Sequence, residues 1–326
     1  MKTKRIVMIL VTISLTVAFI ALPLMVDCAA KEKVKVLRWG SSSVGSSGYI
    51  LSAGMTNLVN KYTDYEASVI PSGGTSATIR TIARNERDFG FGGSYDIYTG
   101  YTGTGRFSKE GKQSILLVAK GYTTAMTFVA QPKIKKVENF KGKIFMYRRK
   151  PVPLWGIYGD AVLKAYGLSE NDVKCVTSVE TKELLDGLKV GSVHIGLIPG
   201  GIPNAYTIQL IEAKKFNLIS VDPQKIAAIA KKHPFMIPLT IPAGTYKGQE
   251  KDVRTMGYTM NLFVRADIPD KAVYEVTKAI FGHHDEFSKV HPRAKKMTLK
   301  GACEDPVIPI HPGAKKYYKE AGVLSK

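Results

Sequence analysis

Cysteine is scarce in this chain, at three of 326 residues. Cys28 lies at the end of an apolar N-terminal stretch, so only Cys175 and Cys303 stand beyond it, and a disulfide-dense secreted scaffold is excluded. Sequence alone does not bring those two within bonding reach, and two separate buried thiols are expected. The residue patterns of common enzymes are missing too. There is no phosphate loop ending in Gly-Lys-Ser/Thr and no Gly-x-Ser-x-Gly elbow. Gly100, Gly103 and Gly105 follow a helical pattern and not a strand, so they do not make a dinucleotide fingerprint. No carboxylate pair stands out as acid and base. His283-His284-Asp285 is a poor metal site, because neighbours on a helix point about 100° apart, and a solvated helix face is expected there. His291 and His311 each precede a proline and are read as turn positions. No enzymatic activity, metal or cofactor is expected.

Acidic residues are outnumbered, 27 to 47, giving a formal net charge of +20. Residues 1–30 hold three of the basic residues and one acidic, so the remainder still carries +18. Such a field attracts anionic solutes and surfaces. The basic residues are scattered, without interleaved aromatics or a recognisable motif, so nucleic acid is not an expected partner.

After the N-terminus no stretch is long and apolar enough to span a bilayer. At the N-terminus, Lys2, Lys4 and Arg5 precede an apolar run from Ile6 to Val26 that only Thr12, Ser14 and Thr16 interrupt. Pro23 and the small residues Cys28-Ala29-Ala30 follow the pattern of a cleaved signal peptide over 1–30, which implies export to the periplasm. An uncleaved anchor and a lipidated Cys28 are the alternatives. Asp27 stands against the second, since a lipobox has a small residue there.

Beyond residue 30 the chain alternates short apolar runs with helical patterns, which argues for α/β architecture with largely parallel sheets. Strands are expected at 34–39, 67–70 and 88–92, each followed by a helix, and then at 114–119 and 125–130. A polar, lysine-rich connection over 132–142 interrupts the series. The pattern restarts with strands at 143–147, 173–177 and 193–198 and helices after each. Pro234, Pro238 and Pro242 punctuate the exit, Thr255–Val264 reads as a strand, and Asp270–Val290 as one amphipathic helix carrying Val273, Val276, Ile280 and Phe287 on one face. Two βα series separated by a connector suggest two lobes.

Several strands end in glycine- and hydroxyl-rich turns that open helices: 40–48, Ser72-Gly73-Gly74-Thr75-Ser76, Gly92-Gly93-Ser94 and Pro199-Gly200-Gly201. Turns of this kind point free backbone amides and hydroxyls at an anion. A single one is equally an ordinary helix cap. Four of them spread over both series favour a shared cleft at the carboxyl ends of the strands.

These strings resemble the TAXI family, the substrate-binding proteins of one class of tripartite ATP-independent periplasmic (TRAP) transporters. The resemblance runs from about Leu37 to Gly322. It rests on the Gly/Ser loop before Tyr49, Ser72–Ser76 with Asp88-Phe89-Gly90, Gly191–Gly196 with Pro199–Pro203, Ile241–Tyr246, Arg265–Pro269 and Pro309–Ala314. It implies a periplasmic-binding-protein fold: two α/β lobes joined by crossover strands, with the ligand cleft between them. Lobe I would hold 31–125 plus 250–326, and lobe II 131–240. It also implies a monomer that closes on a small carboxylate-bearing solute and delivers it to a TRAP permease. A sensor of the same fold feeding a signalling receptor is the alternative. Matching motifs carry over Ser43, Ser46, Ser47, Tyr49, Ser72, Gly74, Thr75 and Ser76, with Gly200 and Gly201 from the second lobe. The chain departs from the family at Gly48-Tyr49, where one of two aromatics is missing. It departs again at Gly93-Ser94, and at 147–155, where Arg148, Arg149 and Trp155 replace small residues. Ser94 is counted with the ligand contacts, Tyr95 and Trp155 with the apolar walls. Arg148 or Arg149 is expected to face the cleft, Arg148 being the one assigned.

Overall fold

The computed structural model describes residues 35–150, 152–179, 181–213 and 216–325, so the expected signal peptide and Cys28 lie outside the described residues. Three βα units come first: β1 (Lys35–Ser41) with α1 (Ser47–Tyr62), β2 (Tyr65–Pro71) with α2 (Thr75–Ala83), and β3 (Phe89–Gly93) with α3 (Ser94–Thr102). A long strand, β4 (Ile115–Ala130), leads to three more: β5 (Ile144–Arg149) with α4 (Pro153–Ala165), β6 (Lys174–Ser178) with α5 (Thr181–Val190), and β7 (Ile195–Gly200) with α6 (Ala205–Ala213). Then β8 (Asn217–Ile219), α7 (Pro223–Lys232) and β9 (Ile237–Ile241) precede a second long strand, β10 (Val253–Arg265). Helices α8 (Asp270–Gly282), α9 (His284–Phe287) and α10 (Pro312–Glu320) follow it.

The strands pair in the order β2-β1-β3-β10-β4-β7-β5-β6, with β8 beside β4 and β9 beside β10. Pairing is parallel within β2-β1-β3 and within β7-β5-β6, and antiparallel wherever β4 or β10 takes part. The expected largely parallel sheet is therefore two parallel sets joined by an antiparallel crossing. β10 joins the first set through β3, β4 joins the second through β7, and the two crossing strands pair with each other. β10 gives Met260–Val264 to β3 and Val253–Gly257 to β9, while β4 gives Ala125–Ala130 to β7. The result is two α/β lobes joined by crossover strands.

The buried apolar residues divide in the same way. Trp39, Met55, Phe89, Val273, Ile280 and Tyr318 belong to one cluster, in which α1 packs on the first set of strands and α8 on α1 and β4. Phe128, Phe145, Tyr158, Leu163 and Ile226 belong to another, under α4 and α7. Val129, Leu184, Leu188 and Leu210 fill the opposite face of the second set. Where the crossing strands meet, a β-carbon on Gly121 would collide with the Met260 carbonyl, and one on Gly257 with the Thr124 carbonyl. Only glycine permits that approach of backbones. A register shift between Thr259 and Asn261 sits at the same level and bends β10 between the lobes.

Some elements differ from expectation. The two strands expected at 114–119 and 125–130 are one, because the intervening Tyr122-Thr123-Thr124 run is itself rich in strand formers. The single helix expected over Asp270–Val290 ends at Gly282; His283 leaves helical geometry (φ −120°, ψ 37°) and α9 starts anew. Nor are the two histidines a solvated face. His283 stacks on Tyr62 with ring centroids 3.4 Å apart, and the His284 ring lies 3.3 Å from the Ala294 carbonyl. Cys175 and Cys303 are both free thiols.

Candidate functional site

The register fixes where the strand ends go. β3 ends at Gly93, opposite Met260 near the middle of β10, and β7 ends at Gly200, opposite Ala125 near the middle of β4. β1 and β2 run parallel to β3, and β5 and β6 parallel to β7. The carboxyl ends of all six strands therefore approach the crossing from its two sides. In open α/β sheets this is where ligands bind.

On the first lobe, Ser46 caps α1, its hydroxyl accepting the Tyr49 amide at 3.2 Å and lying 2.7 Å from the Ser42 hydroxyl. Ser43 is exposed and its carbonyl accepts the Ser46 amide at 3.1 Å, while Ser47 and Tyr49 are half-buried in the first turn. The Ser72 hydroxyl donates to the Ser41 carbonyl and lies 2.5 Å from that of Thr78. Gly74, at φ +102°, occupies the N-cap of α2, a conformation that side chains resist. Thr75 accepts the Gly93 amide at 3.0 Å, and buried Ser76 accepts from Arg106 at 3.3 Å. Neither α1 nor α2 has an acidic residue in its first turn, so the positive ends of both helices are uncompensated there. The Ser41 hydroxyl, fully buried at the end of β1, has no hydrogen-bond partner among the described residues.

Ser94 and Tyr95 are placed differently from the ligand contact and apolar wall expected of them. Ser94 is 1 % exposed; its hydroxyl donates to the Phe235 carbonyl at 2.9 Å and accepts the Thr259 amide at 3.3 Å. Tyr95 is buried edge-on against Phe235, centroids 5.1 Å apart. Together they tie α3 to β10 and to the segment between α7 and β9.

On the second lobe, an irregularity in β5 decides the partners of its two arginines. The register against β6 shifts between Met146 and Arg148, so Tyr147 is an extra residue. Consecutive residues then lie against one helix: Tyr147 packs at Gly159 of α4 and Arg148 at Gly156. Arg148 pairs with Asp160 at 3.0 Å and Glu170 at 2.7 Å. These two carboxylates hold it, and it is not among the residues lining the cavity beside Gly200 and Gly201, in contrast to the cleft position expected of it. Arg149 also lies against α4, at its first turn. Its guanidinium lies over the buried Trp155 ring, 5.0 Å from the centroid, and donates to the Val179 carbonyl and the Thr181 hydroxyl, each at 3.1 Å.

Gly200 and Gly201 line a cavity of about 760 Å³, within the range of small-molecule sites. Lys120, Tyr122 and Thr123 of β4 form one wall, the turn from Pro199 to Tyr206 another, and Arg293 and Lys296 a third. At Gly200 a β-carbon would collide with the Asn204 amide, which donates to the Pro199 carbonyl at 3.0 Å. Three cationic residues and no Asp or Glu line this cavity among the described residues. The Arg293 guanidinium covers the Tyr122 ring at 4.5 Å, and Tyr122 in turn meets Phe91 of β3 at 6.1 Å. Between the two lobes Tyr258 stands beside Gly93; burial pushes its phenol up to about 12, while the charges of Arg293 and Arg149 act in the opposite direction. Sequence reading missed Lys120, Tyr122, Arg293 and Lys296. No motif marks them, and Arg293 arrives only because the chain after α9 folds back beside β4.

Chemically, the arrangement offers amides, hydroxyls, guanidiniums and ring faces. Among the described residues no group of three His, Cys, Asp or Glu is gathered to hold a metal.

The model of the NMT1-like family matches residues 39–322, and the chain belongs to that family. Among solved structures it is similar to a TctC solute-binding protein from Polaromonas, at 10 % identity over 90 % of this chain and 100 % of that one, with a TM-score of 0.54. It is also similar to XAC2383 from Xanthomonas citri. The ATP-bound form matches at 12 % identity over 89 % of this chain and 97 % of that one, TM-score 0.51. The chloride-bound form matches at 11 % over 88 % and 97 %, TM-score 0.50. At such identities the likeness is one of fold, that of two-lobed periplasmic binding proteins.

Proposed function

We propose that this protein is an extracytoplasmic solute receptor that binds a small carboxylate-bearing solute by closure of its two lobes and hands it to a TRAP-type permease, in the manner of the TAXI proteins it resembles. It acts as a monomer in the periplasm after removal of residues 1–30, and it performs no chemistry on the solute. The lobes are 31–125 with 250–326, and 131–240. The observation that carries the reading is the charge of the cleft. Lys120, Arg293 and Lys296 line it without a described acid, and on the first lobe the N-termini of α1 and α2, after the ends of β1 and β2, carry no acidic residue in their first turns. Both features favour an anion. The solute-binding role printed for the Polaromonas neighbour, which shares the fold, supports the receptor part of the reading.

A thermal-shift screen of organic acids, amino acids, sugars and polyamines on the purified chain lacking residues 1–30 tests this. At a hundredfold excess over Kd a ligand stabilises by about 2.7 kcal/mol, a rise of roughly 4 °C for a chain of this size. Hits confined to acids are expected. Hits confined to sugars or polyamines would overturn the proposal.

A further inference from the structure

We propose that the solute is an amphipathic anion, with a single carboxylate held by Lys120, Arg293 and Lys296 and an apolar body seated against Ala125, Ile202 and Leu239. The inference rests on the solute-binding reading above and names the class of acid. It starts from the way charge and apolar surface divide along the cavity. Lys120 lies opposite Asn261 in the β4–β10 ladder. Two residues further along β4, the Arg293 guanidinium covers the Tyr122 ring at 4.5 Å, and Lys296 belongs to the same short segment as Arg293. Three residues beyond Tyr122, or about 10 Å of extended strand, Ala125 pairs with Gly200 of β7 and Gly257 of β10. Leu239 of β9 lies across this level, its Cδ1 2.6 Å from where a β-carbon on Gly257 would stand. Ile202 follows Gly200 and Gly201 in the turn that forms the same wall.

On the lobe division proposed above, all three cations belong to lobe I, while 199–206 and Leu239 belong to lobe II and bring no charge to the cavity. Asn204 on that wall is already committed. Its amide nitrogen donates to the Pro199 carbonyl at 3.0 Å, and its oxygen accepts the Tyr206 amide at 2.8 Å. A carboxylate at this wall would lose water without gaining a cation, whereas a hydrocarbon gains by leaving water. The acid is therefore oriented, its head on lobe I and its body toward lobe II, and closure covers the body. A cavity of about 760 Å³ leaves room for such a body beyond the head.

The test is calorimetric titration of the protein with glutamate, butanoate, hexanoate, octanoate and suberate. Each methylene group moved from water to an apolar wall tightens binding about fourfold, so octanoate should bind more than about tenfold tighter than butanoate. Suberate has the length of octanoate with a second carboxylate at its far end, and it should bind about tenfold or more weakly than octanoate. Leu239→Lys should narrow that second ratio. So should Ala205→Lys, at an exposed position of the same wall, which keeps the test decisive where Leu239→Lys lowers the melting temperature. Arg293→Gln should weaken every acid about 10- to 100-fold and leave their order unchanged. Butanoate or suberate binding as tightly as octanoate, or glutamate binding alone, overturns the amphipathic solute and leaves the receptor reading standing. A preference for octanoate that neither lysine substitution narrows overturns the assignment to this wall, and unweakened binding in Arg293→Gln overturns the placing of the head. Failure of every acid to bind rejects the proposal together with the anionic-solute reading.

Discussion

Replacing Ser94 by alanine separates a structural hydroxyl from a ligand contact. In the structure the hydroxyl bridges two buried main-chain groups, the Phe235 carbonyl at 2.9 Å and the Thr259 amide at 3.3 Å. Ser94→Ala strands both. A buried polar group left unsatisfied costs about 1–3 kcal/mol, and the longer Thr259 bond belongs at the low end, so a loss of roughly 2–4 kcal/mol is expected. For a chain of this size that lowers the melting temperature by roughly 3–7 °C. The assay is urea denaturation with an unchanged m-value, together with calorimetric affinity for whichever acid the screen identifies. Affinity should fall far less than stability, because the hydroxyl's one proton is already committed to the Phe235 carbonyl and cannot be offered to an anion. Unchanged stability with abolished binding would refute this reasoning and return Ser94 to the ligand contacts.

Further outcomes are expected elsewhere. His311 is 1 % exposed and caps α10, its Nδ1 accepting the Gly313 amide at 3.2 Å, and burial holds its imidazole below the ordinary histidine value. A depressed value means that the stability it contributes is present above about pH 6.5 and is lost as the pH falls through the folded-state value. Denaturation midpoints at pH 7 and pH 5 should therefore differ more in the parent than in His311→Asn, and equal pH slopes would contradict this. Burial pushes both the Cys175 and Cys303 thiols up. A chain lacking residues 1–30 should release two free thiols under denaturing, non-reducing conditions and react slowly when native at pH 7, whereas none on denaturation would reveal a disulfide. N-terminal sequencing of periplasmic protein should begin near Lys31; a start at Met1, or retention in alkali-washed membranes, would rule out cleavage.

Most of the architecture is legible where periodicity and turn chemistry agree. The six βα units and β10 stand near the expected positions because short apolar strands alternate with helical patterns, four of the units being joined by Gly/Ser turns. The elements between Asn217 and Ile241 escape the sequence reading, although Asp222-Pro223 is a cap followed by proline at the first helical position. Pro238 argues against a strand at β9, yet β9 pairs only with β10 and so tolerates it. Helix α10 opens in the same way with His311-Pro312, which reads from sequence only as a turn. At the site, the Ser/Gly turns can be found from sequence because helix capping is local. The partners of Arg148 and Arg149 cannot, since they depend on one extra residue in β5. Lys120, Tyr122 and Arg293 meet only through tertiary folding, and no local pattern announces such a meeting.

The most direct test is a crystal structure of the protein with the strongest-binding acid from the screen. Density for the acid is expected in the cavity beside Gly200 and Gly201, with its acidic group against Lys120, Arg293 or Lys296 and the lobes closed around it. An acid bound beside Arg148, or a cleft left empty at saturating concentration, would contradict the account.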